Sequence, residues 1–246
     1  MEYLVGIDDT DNLESRGTGF IGRTMGERIN ASGLGICGGV SRHQLLFDQR
    51  VPYTSHNSSL CLEIETDKPE EVWDLMVDYL LEACAPGSDC GLCMIEVDKI
   101  PESIVKWGLK AKRDLLKQVD AHELAKKENI RLIGLTGNHD GVIGSMAAVG
   151  LRASGNDGRF VGLRGTEVRT INGIKTPAEL KKLVHLHKIV TVEGELVDEH
   201  SRISLEGWLR PVHRDGLITL IVNKIDNNEE YGYQLANKEY IKGISD

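Results

Sequence analysis

The chain has no run approaching the roughly 18 consecutive apolar residues of a membrane span, so no membrane partner is expected. Cysteine is scarce: Cys37, Cys61, Cys84, Cys90 and Cys93 form an odd set of five with a single Cys-x-x-Cys pair. That count argues against a disulfide framework and leaves no second pair for a four-ligand zinc site, so these residues are read as buried thiols. Aromatic residues make up only 5% of the chain, against 27 glycines, which suits tight turns and close backbone approaches. No internal repeat or low-complexity tract interrupts the pattern. Basic residues are in deficit, 29 Lys and Arg against 38 Asp and Glu, for a net charge of −9. Such a surface repels phosphate backbones on average, which excludes a broad, non-specific nucleic-acid binder and leaves a local basic patch open. The segment Met1 to Gly6 has no basic region and runs into acidic residues, so it is not read as a signal peptide, and a cytoplasmic location is expected.

What remains is the composition of an ordinary globular protein: 246 residues, 40% hydrophobic and 27% charged, enough for one or two domains. Residues 3–7 form a short apolar run that reads as a buried strand, and 19–31 carry a helical pattern through Phe20, Ile21, Met25 and Ile29. Val40–Phe47 and Ser59–Ile64 read as strands, and Pro69 with Glu70 and Glu71 opens a helix. Further along, Leu92–Val97, Ile130–Leu135 and Phe160–Leu163 read as strands. A helix from Pro101, continued or interrupted around Val119, and a helix over Gly141–Leu151 lie between them. Thr176-Pro177 starts a short helix by the rule of a polar cap and Pro at the first position. Ile189–Val197, Arg202–Leu209 and Leu217–Asn223 read as three strands, and the tail after Ile225 as polar and irregular at its end. The expected class is therefore α/β (α+β), two α/β units with a small β-rich extension. Trp208, Tyr231, Tyr233 and Tyr240 in that extension are assigned to packing or the surface.

Two stretches carry chemistry. The first, Gly6-Ile7-Asp8-Asp9-Thr10-Asp11, sets three carboxylates in four positions at the end of a buried strand. Ligand sites in α/β folds lie at such strand ends, and like charges packed there repel unless a cation neutralises them. Mg²⁺ is the natural cation, since it takes hard oxygen ligands and shares them with phosphates. Arg16-Gly17-Thr18-Gly19 follows just before a helix, and its backbone N–H groups suit a nucleotide phosphate. The alternative is an acidic surface turn in which Asp8 or Asp11 caps a helix, and the residues alone leave both open.

The second stretch runs from Gly137-Asn138-His139-Asp140 through Gly141 to Gly150. Its small residues, Gly144 and Ala148 one turn apart, let another backbone come close, while the loop at 138–140 offers an amide, an imidazole and a carboxylate at a helix N-terminus. Other polar groups have plainer readings. His56 is taken as a hydrogen-bonded structural residue. Lys106, Lys110, Lys112, Arg113 and Lys117 are read as a solvated face, and the basic run from Lys181 to Lys188 as charge that offsets a helix dipole.

Together the two stretches resemble the tRNA agmatinylcytidine synthetase family, archaeal enzymes that attach agmatine to the wobble cytidine of an isoleucine tRNA. Gly6 to Asp11 matches the family's opening Gly-Ile-Asp-Asp-Thr-Asp. Gly137 to Gly150 matches its Gly-Asn-x-x-Gly-x-Ile-Gly-x-x-Ala-Ala-Ile-Gly, with Val149 for the Ile, and Pro52 to Asn57 is similar to a further family segment. The resemblance spans about residues 3 to 165 and implies a kinase-like ATP- and Mg-binding domain at 1–88, a ferredoxin-like domain at 89–165, and an extension at 166–246. No counterpart of the family's zinc ribbon is expected, since no paired Cys-x-x-Cys follows residue 165. It further implies ATP and Mg²⁺ as cofactors, with Asp8, Asp9 and Asp11 holding the metal and taking part in catalysis. Thr18 would be the counterpart of a threonine that becomes phosphorylated, although the Met-Cys of that family segment is absent here. Thr10, Arg16, Gly17 and Gly19 would bind nucleotide; His56, Asn57, Asn138, His139 and Asp140 would bind substrate. The implied activity is activation of a carbonyl oxygen by phosphorylation and its displacement by an amine such as agmatine, the acceptor being tRNA or a smaller molecule. The alternative is a nucleotide- or RNA-binding regulator without turnover.

Overall fold

The computed structural model describes residues 1–51, 56–226 and 229–246. Its elements are β1 (Glu2–Asp8), α1 (Thr18–Ser32), β2 (Ile36–Gln44), β3 (Ser58–Glu65), α2 (Pro69–Ala83), β4 (Gly91–Glu96), α3 (Glu102–Ala111), α4 (Gln118–Glu128), β5 (Arg131–Gly134), α5 (Gly141–Ala153) and β6 (Arg159–Leu163). They continue with β7 (Thr166–Glu167), β8 (Ile174–Lys175), α6 (Pro177–Val184), β9 (Lys188–Thr191), β10 (Ile203–Ser204), β11 (Val212–Arg214), β12 (Leu217–Lys224), β13 (Tyr233–Leu235) and α7 (Lys238–Ser245). The strands form one mixed sheet in the order β5-β4-β1-β3-β2-β6-β11-β12-β13-β10-β8, with β7 on β6 and β9 on β12. The first six elements alone make the split βαββαβ pattern of ferredoxin-like folds: β4-β1-β3-β2, each neighbour antiparallel. β5 extends that sheet beyond β4 and β6 extends it beyond β2, so segments 1–88 and 89–165 share it.

Strand alternation builds the layers. Tyr3, Val5 and Ile7 of β1 face Ile21, Met25 and Ile29 of α1 and Val72, Met76 and Leu80 of α2. Leu4 faces the other way, with Cys61, Cys93 and Ile95, onto α3, α4 and α5. Each fully buried aliphatic side chain contributes about 1.5–3 kcal/mol of burial. α5 lies against the sheet at backbone distance: a Cβ on Gly6 would sit 1.8 Å from the Ser145 carbonyl oxygen, and one on Gly91 2.1 Å from the Gly141 carbonyl carbon. Only glycine at these two strand positions permits that approach.

Several expectations need correction past residue 165. The end of the tail is not irregular: β13 and α7 follow, α7 being capped by Asn237, whose side chain accepts from the Tyr240 N–H. Ile189–Val197 is not one strand but β9, a turn, and a return in which Leu196 bridges Val190. Arg202–Leu209 shrinks to β10, and β11 appears where no strand is expected. These short strands enclose a separate core of Val168, Leu180, Val184, Ile203, Leu220 and Val222 with Phe160 and Leu163 of β6. The helix opening at Thr176 carries a full capping box, Thr176 and Glu179 each holding the other's backbone N–H. The helix from Pro101 is interrupted: α3 ends at Ala111 and α4 begins at Gln118. Among the described residues, no helix is long and apolar enough to cross a membrane.

Candidate active site

Alternation along β1 sends Leu4, Gly6 and Asp8 toward α5, so the strand delivers Asp8 to the second motif. A Cβ on Gly144 would lie 1.8 Å from Asp8 Oδ2, which shows how tightly the carboxylate is seated against that helix. The two sequence motifs therefore meet at one point. After Asp8 the chain turns through Asp9, whose φ of 51° lies in the left-handed region that Asp tolerates better than most residues. The Asp9 carboxylate accepts the Asp89 backbone N–H and shares its surroundings with Asp11, Asp89 and Asp140. Thr10 turns inward: its hydroxyl donates to Thr18 Oγ1 at 3.0 Å and its carbonyl accepts the Ala85 N–H at 3.0 Å. Thr18, the first residue of α1, in turn donates to Asp11 Oδ1 at 2.7 Å. This chain of hydroxyls fixes the acidic loop to the start of α1.

The loop forms one wall of a cavity of about 430 Å³, within the range of small-molecule sites. Asp8, Asp9, Asp11 and Thr18 line it on one side, Gly141, Ile143 and Gly144 of α5 on another. Leu45, Leu46, Arg50 and Val51 after β2, Asp114 to Lys117 between α3 and α4, and Gln118 at the start of α4 also line it. Burial, then the Asp9 charge, pushes the Asp8 carboxyl up to about 8; burial, then Asp89, raises Asp9 to about 6. Carboxylates pressed together in this way favour a proton or a cation. Among the described residues, however, no three His, Cys, Asp or Glu side chains are grouped as metal ligands, so Asp8, Asp9 and Asp11 do not form a closed cage. One or two of these carboxylates would suffice for Mg²⁺, which completes its shell with phosphate oxygens and water.

Of the site residues expected from the sequence, the cavity brings together Asp8, Asp9, Asp11, Thr18, His56, Asn57 and Asp140, and Lys117, read from the sequence as part of a solvated face, lines it as well. Asn57 also has a structural task, its amide donating to the Leu46 carbonyl at 2.8 Å. Burial and the charges of Arg42, Lys242 and Arg159 hold His56 below the usual imidazole value. Thr10, Arg16, Gly17, Gly19, Asn138 and His139 are not among its lining residues. Arg16 points outward and stacks on the Phe20 ring at 3.7 Å. Gly17, at φ 81°, provides the turn into α1. Asn138 and His139 are exposed, and Asn138 shapes its own turn, its side chain accepting the Asp140 N–H at 2.9 Å while its N–H donates to Asp89 Oδ1 at 2.7 Å. Pro52 to Ser55 lie outside the described residues. Sequence reasoning missed the loops at 45–51 and 114–118, and Asp89 behind Asp9; the α3–α4 break was the available signal for one of them.

A second polar chain has the order of a nucleophile–base–acid triad: Ser41 Oγ to His43 Nε2 at 2.8 Å, and His43 Nδ1 to Asp157 Oδ1 at 2.9 Å. Ser41 and His43 are fully buried, so substrate has no access, and the chain instead ties β2 to the turn before β6 and, through Asp157, to Lys112.

No family model matches the sequence. An uncharacterized protein of Methanocaldococcus jannaschii is 27% identical over 155 residues, 61% of this chain and 50% of that protein. Among solved structures, a tRNA fluorescent labeling enzyme is 26% identical with a TM-score of 0.55, and the complex of TiaS with an isoleucine tRNA and ATP is 25% identical with a TM-score of 0.55. Both likenesses cover 61% of this chain and 36% of the other, so the chain spans about half the length of the curated relative and about a third of the solved enzymes. Over that 61%, the chain is similar in sequence and fold to TiaS, an agmatidine synthetase of isoleucine tRNA.

Proposed function

We propose that this chain is an ATP- and Mg²⁺-dependent enzyme that phosphorylates a carbonyl oxygen of its acceptor so that an amine displaces it. The observation that carries the reading is the seating of Asp8 against Gly144, which unites the acidic loop and α5 at the wall of one cavity. The similarity to an enzyme solved with tRNA and ATP supports it.

In this reading Asp8 and Asp9, with Asp11 beside them, present carboxylate oxygens to Mg²⁺ and so set the position of the ATP phosphates. When bound, the metal neutralises phosphate charge, and phosphoryl transfer asks chiefly for that and for positioning. Thr18 holds Asp11 in place, and the N-terminus of the 15-residue α1 directs its partial positive charge to the same wall. Leu45, Leu46 and Ile143 offer an apolar surface to the flat face of an acceptor, and Asp114 and Asp140 offer negative charge to a cationic amine such as agmatine. The amine nitrogen bonds to the activated carbon, and the carbon–oxygen bond breaks as phosphate leaves.

The test combines calorimetry and turnover. Wild type is expected to bind Mg·ATP and, given agmatine and a tRNA transcript, to release ADP or AMP with a mass gain on the acceptor; Asp8→Asn is expected to do neither. Equal behaviour of the two proteins in both assays would remove the reading, and binding without turnover on any acceptor would turn it into that of a regulator.

A further inference from the structure

The two sequence motifs are joined by more than Asp8, because the short segment between α2 and β4 is hydrogen-bonded to both. Ala85-Pro86-Gly87-Ser88 is a turn with Pro at its second position and Gly87, at φ 81°, at its third; the Ser88 N–H closes it on the Ala85 carbonyl at 3.1 Å. On one side the Ala85 N–H donates to the Thr10 carbonyl at 3.0 Å, and the Asn12 amide donates to the Pro86 carbonyl at 3.1 Å. On the other, the Asp89 carbonyl accepts the Gly141 N–H at 2.8 Å and Asp89 Oδ1 accepts the Asn138 N–H at 2.7 Å. The Asp89 N–H itself holds the Asp9 carboxylate. Residues 85–89 thus tie the acidic loop to the start of α5.

A cysteine stands at each end of this segment. Cys84 closes the last turn of α2, and Cys90 precedes β4, where Cys90, Leu92 and Met94 alternate onto the face that α2 covers. The turn folds the chain back, so the two side chains meet and are hydrogen-bonded to each other. The Cys90 thiol donates to Cys84 Sγ, and that bond, with burial opposing and Ser88 assisting, holds Cys84 below the usual thiol value. The same bond, aided by burial, keeps the proton on Cys90. Cys90 is fully buried, whereas Cys84, expected from the sequence to be a buried thiol, is only half-buried. Cys37, Cys61 and Cys93 are buried, and burial raises all three thiols. Phosphoryl transfer as derived above uses neither Cys84 nor Cys90. An accessible thiolate beside a buried thiol is the arrangement of an oxidisable cysteine and its resolving partner.

We propose that Cys84 and Cys90 are a site of reversible oxidation, at which a hydroperoxide converts the two thiols to a disulfide that disturbs the acidic loop. The Cys84 sulfur attacks a peroxide oxygen and the O–O bond breaks; the alkoxide released takes a proton from solvent, and Cys84 becomes a sulfenic acid. The Cys90 sulfur then bonds to the Cys84 sulfur as the S–O bond breaks, and the oxygen leaves as water with the Cys90 proton. The two thiols lose two electrons, which the hydroperoxide gains. Bonded sulfurs lie about 2.05 Å apart, closer than hydrogen-bonded thiols, so the turn between them tightens. Its hydrogen bonds to Thr10, Asn12, Asp9 and Gly141 carry the shift to both motifs. Resting on the functional reading above, this makes the disulfide the off state of the Mg·ATP site.

The test treats the reduced full chain with tert-butyl hydroperoxide, blocks free thiols with iodoacetamide and weighs the peptides. The peptide holding Cys84 and Cys90 should escape alkylation and be lighter by two hydrogens, and dithiothreitol should restore both thiols. Cys90→Ser should stop at a sulfenic acid on Cys84 that dimedone labels, and Cys84→Ser should leave Cys90 unoxidised. In calorimetry, oxidation should weaken Mg·ATP binding to wild type at least about tenfold, as when a group that orients a metal-binding carboxylate is lost. Dithiothreitol should reverse that loss, and the peroxide should leave Mg·ATP binding to Cys84→Ser unchanged. No disulfide in the folded chain, oxidation of Cys37, Cys61 or Cys93 ahead of Cys84, or equal Mg·ATP affinity of the oxidised and reduced chains would each overturn the proposal. The functional reading fails separately, if reduced wild type does not bind Mg·ATP; the oxidation site is read by mass without nucleotide.

Discussion

Replacing Asp8 with Asn should stabilise the metal-free protein while removing its function, and the effect should depend on pH. The carboxyl is raised from 3.8 to about 8 in the folded chain. Between those values the folded state binds more protons than the unfolded one, so stability falls as pH rises from about 4 through 8. Near pH 7 the difference spans about three pK units, an upper bound of about 4 kcal/mol at 1.36 kcal/mol per unit. Local hydration and relaxation reduce this, and about 2 kcal/mol is a reasonable working figure. Asn keeps the shape and an acceptor for the Asp9 N–H but carries no charge to desolvate. For a chain of this size each kcal/mol moves Tm by about 2–4 °C, so Asp8→Asn should melt about 4–8 °C above wild type at pH 8 in EDTA. The two should converge near pH 4. Thermal melts across that range, with and without Mg·ATP, make the measurement; the nucleotide should raise the wild-type Tm alone. A variant less stable than wild type at every pH, or a gap independent of pH, would refute the argument that burial makes ionisation of Asp8 costly until a cation arrives.

Gly144→Ala would place a methyl 1.8 Å from Asp8 Oδ2, so it should displace the carboxylate and lower Mg·ATP affinity at least tenfold in calorimetry. Gly6→Ala brings the same clash against the Ser145 backbone, where no side chain can give way; α5 must lift from the sheet, and a loss of more than about 3 kcal/mol should appear in urea unfolding or as failure to express folded protein. Thr176→Ala removes one half of the capping box of α6, far from the cavity; it should cost about 1 kcal/mol and leave Mg·ATP binding as it was.

The first half of the fold was readable because its signals are local. Tyr3, Val5 and Ile7 alternate with Leu4 and Gly6, Pro69 with Glu70 and Glu71 opens α2, and each strand is flanked by turn residues. The strand order was not, since nothing near Phe160 says that β6 pairs with β2 rather than with β5. Past residue 165 strands of two or three residues carry too few side chains to show a period, and α7 hides its single apolar stripe, Ile241 and Ile244, in a charged segment. In the site, the Asp cluster was legible as an unusual density of charge, whereas Thr10 was not separable from its neighbours until the structure turned it inward to Thr18. The role of Gly144 was hidden for a related reason: the exposed turn at Asn138 and His139 carries the side chains that draw attention, whereas the bare Cα of Gly144 is what admits Asp8. Arg42 and Arg159 lie far apart in sequence and meet only through strand pairing.

The account stands most directly on one titration: ATP into the wild-type chain at pH 8, once with Mg²⁺ and once with EDTA. It requires saturable one-site binding that depends on the metal and disappears in both Asp8→Asn and Gly144→Ala. Binding of equal strength with EDTA, or in either variant, would contradict it.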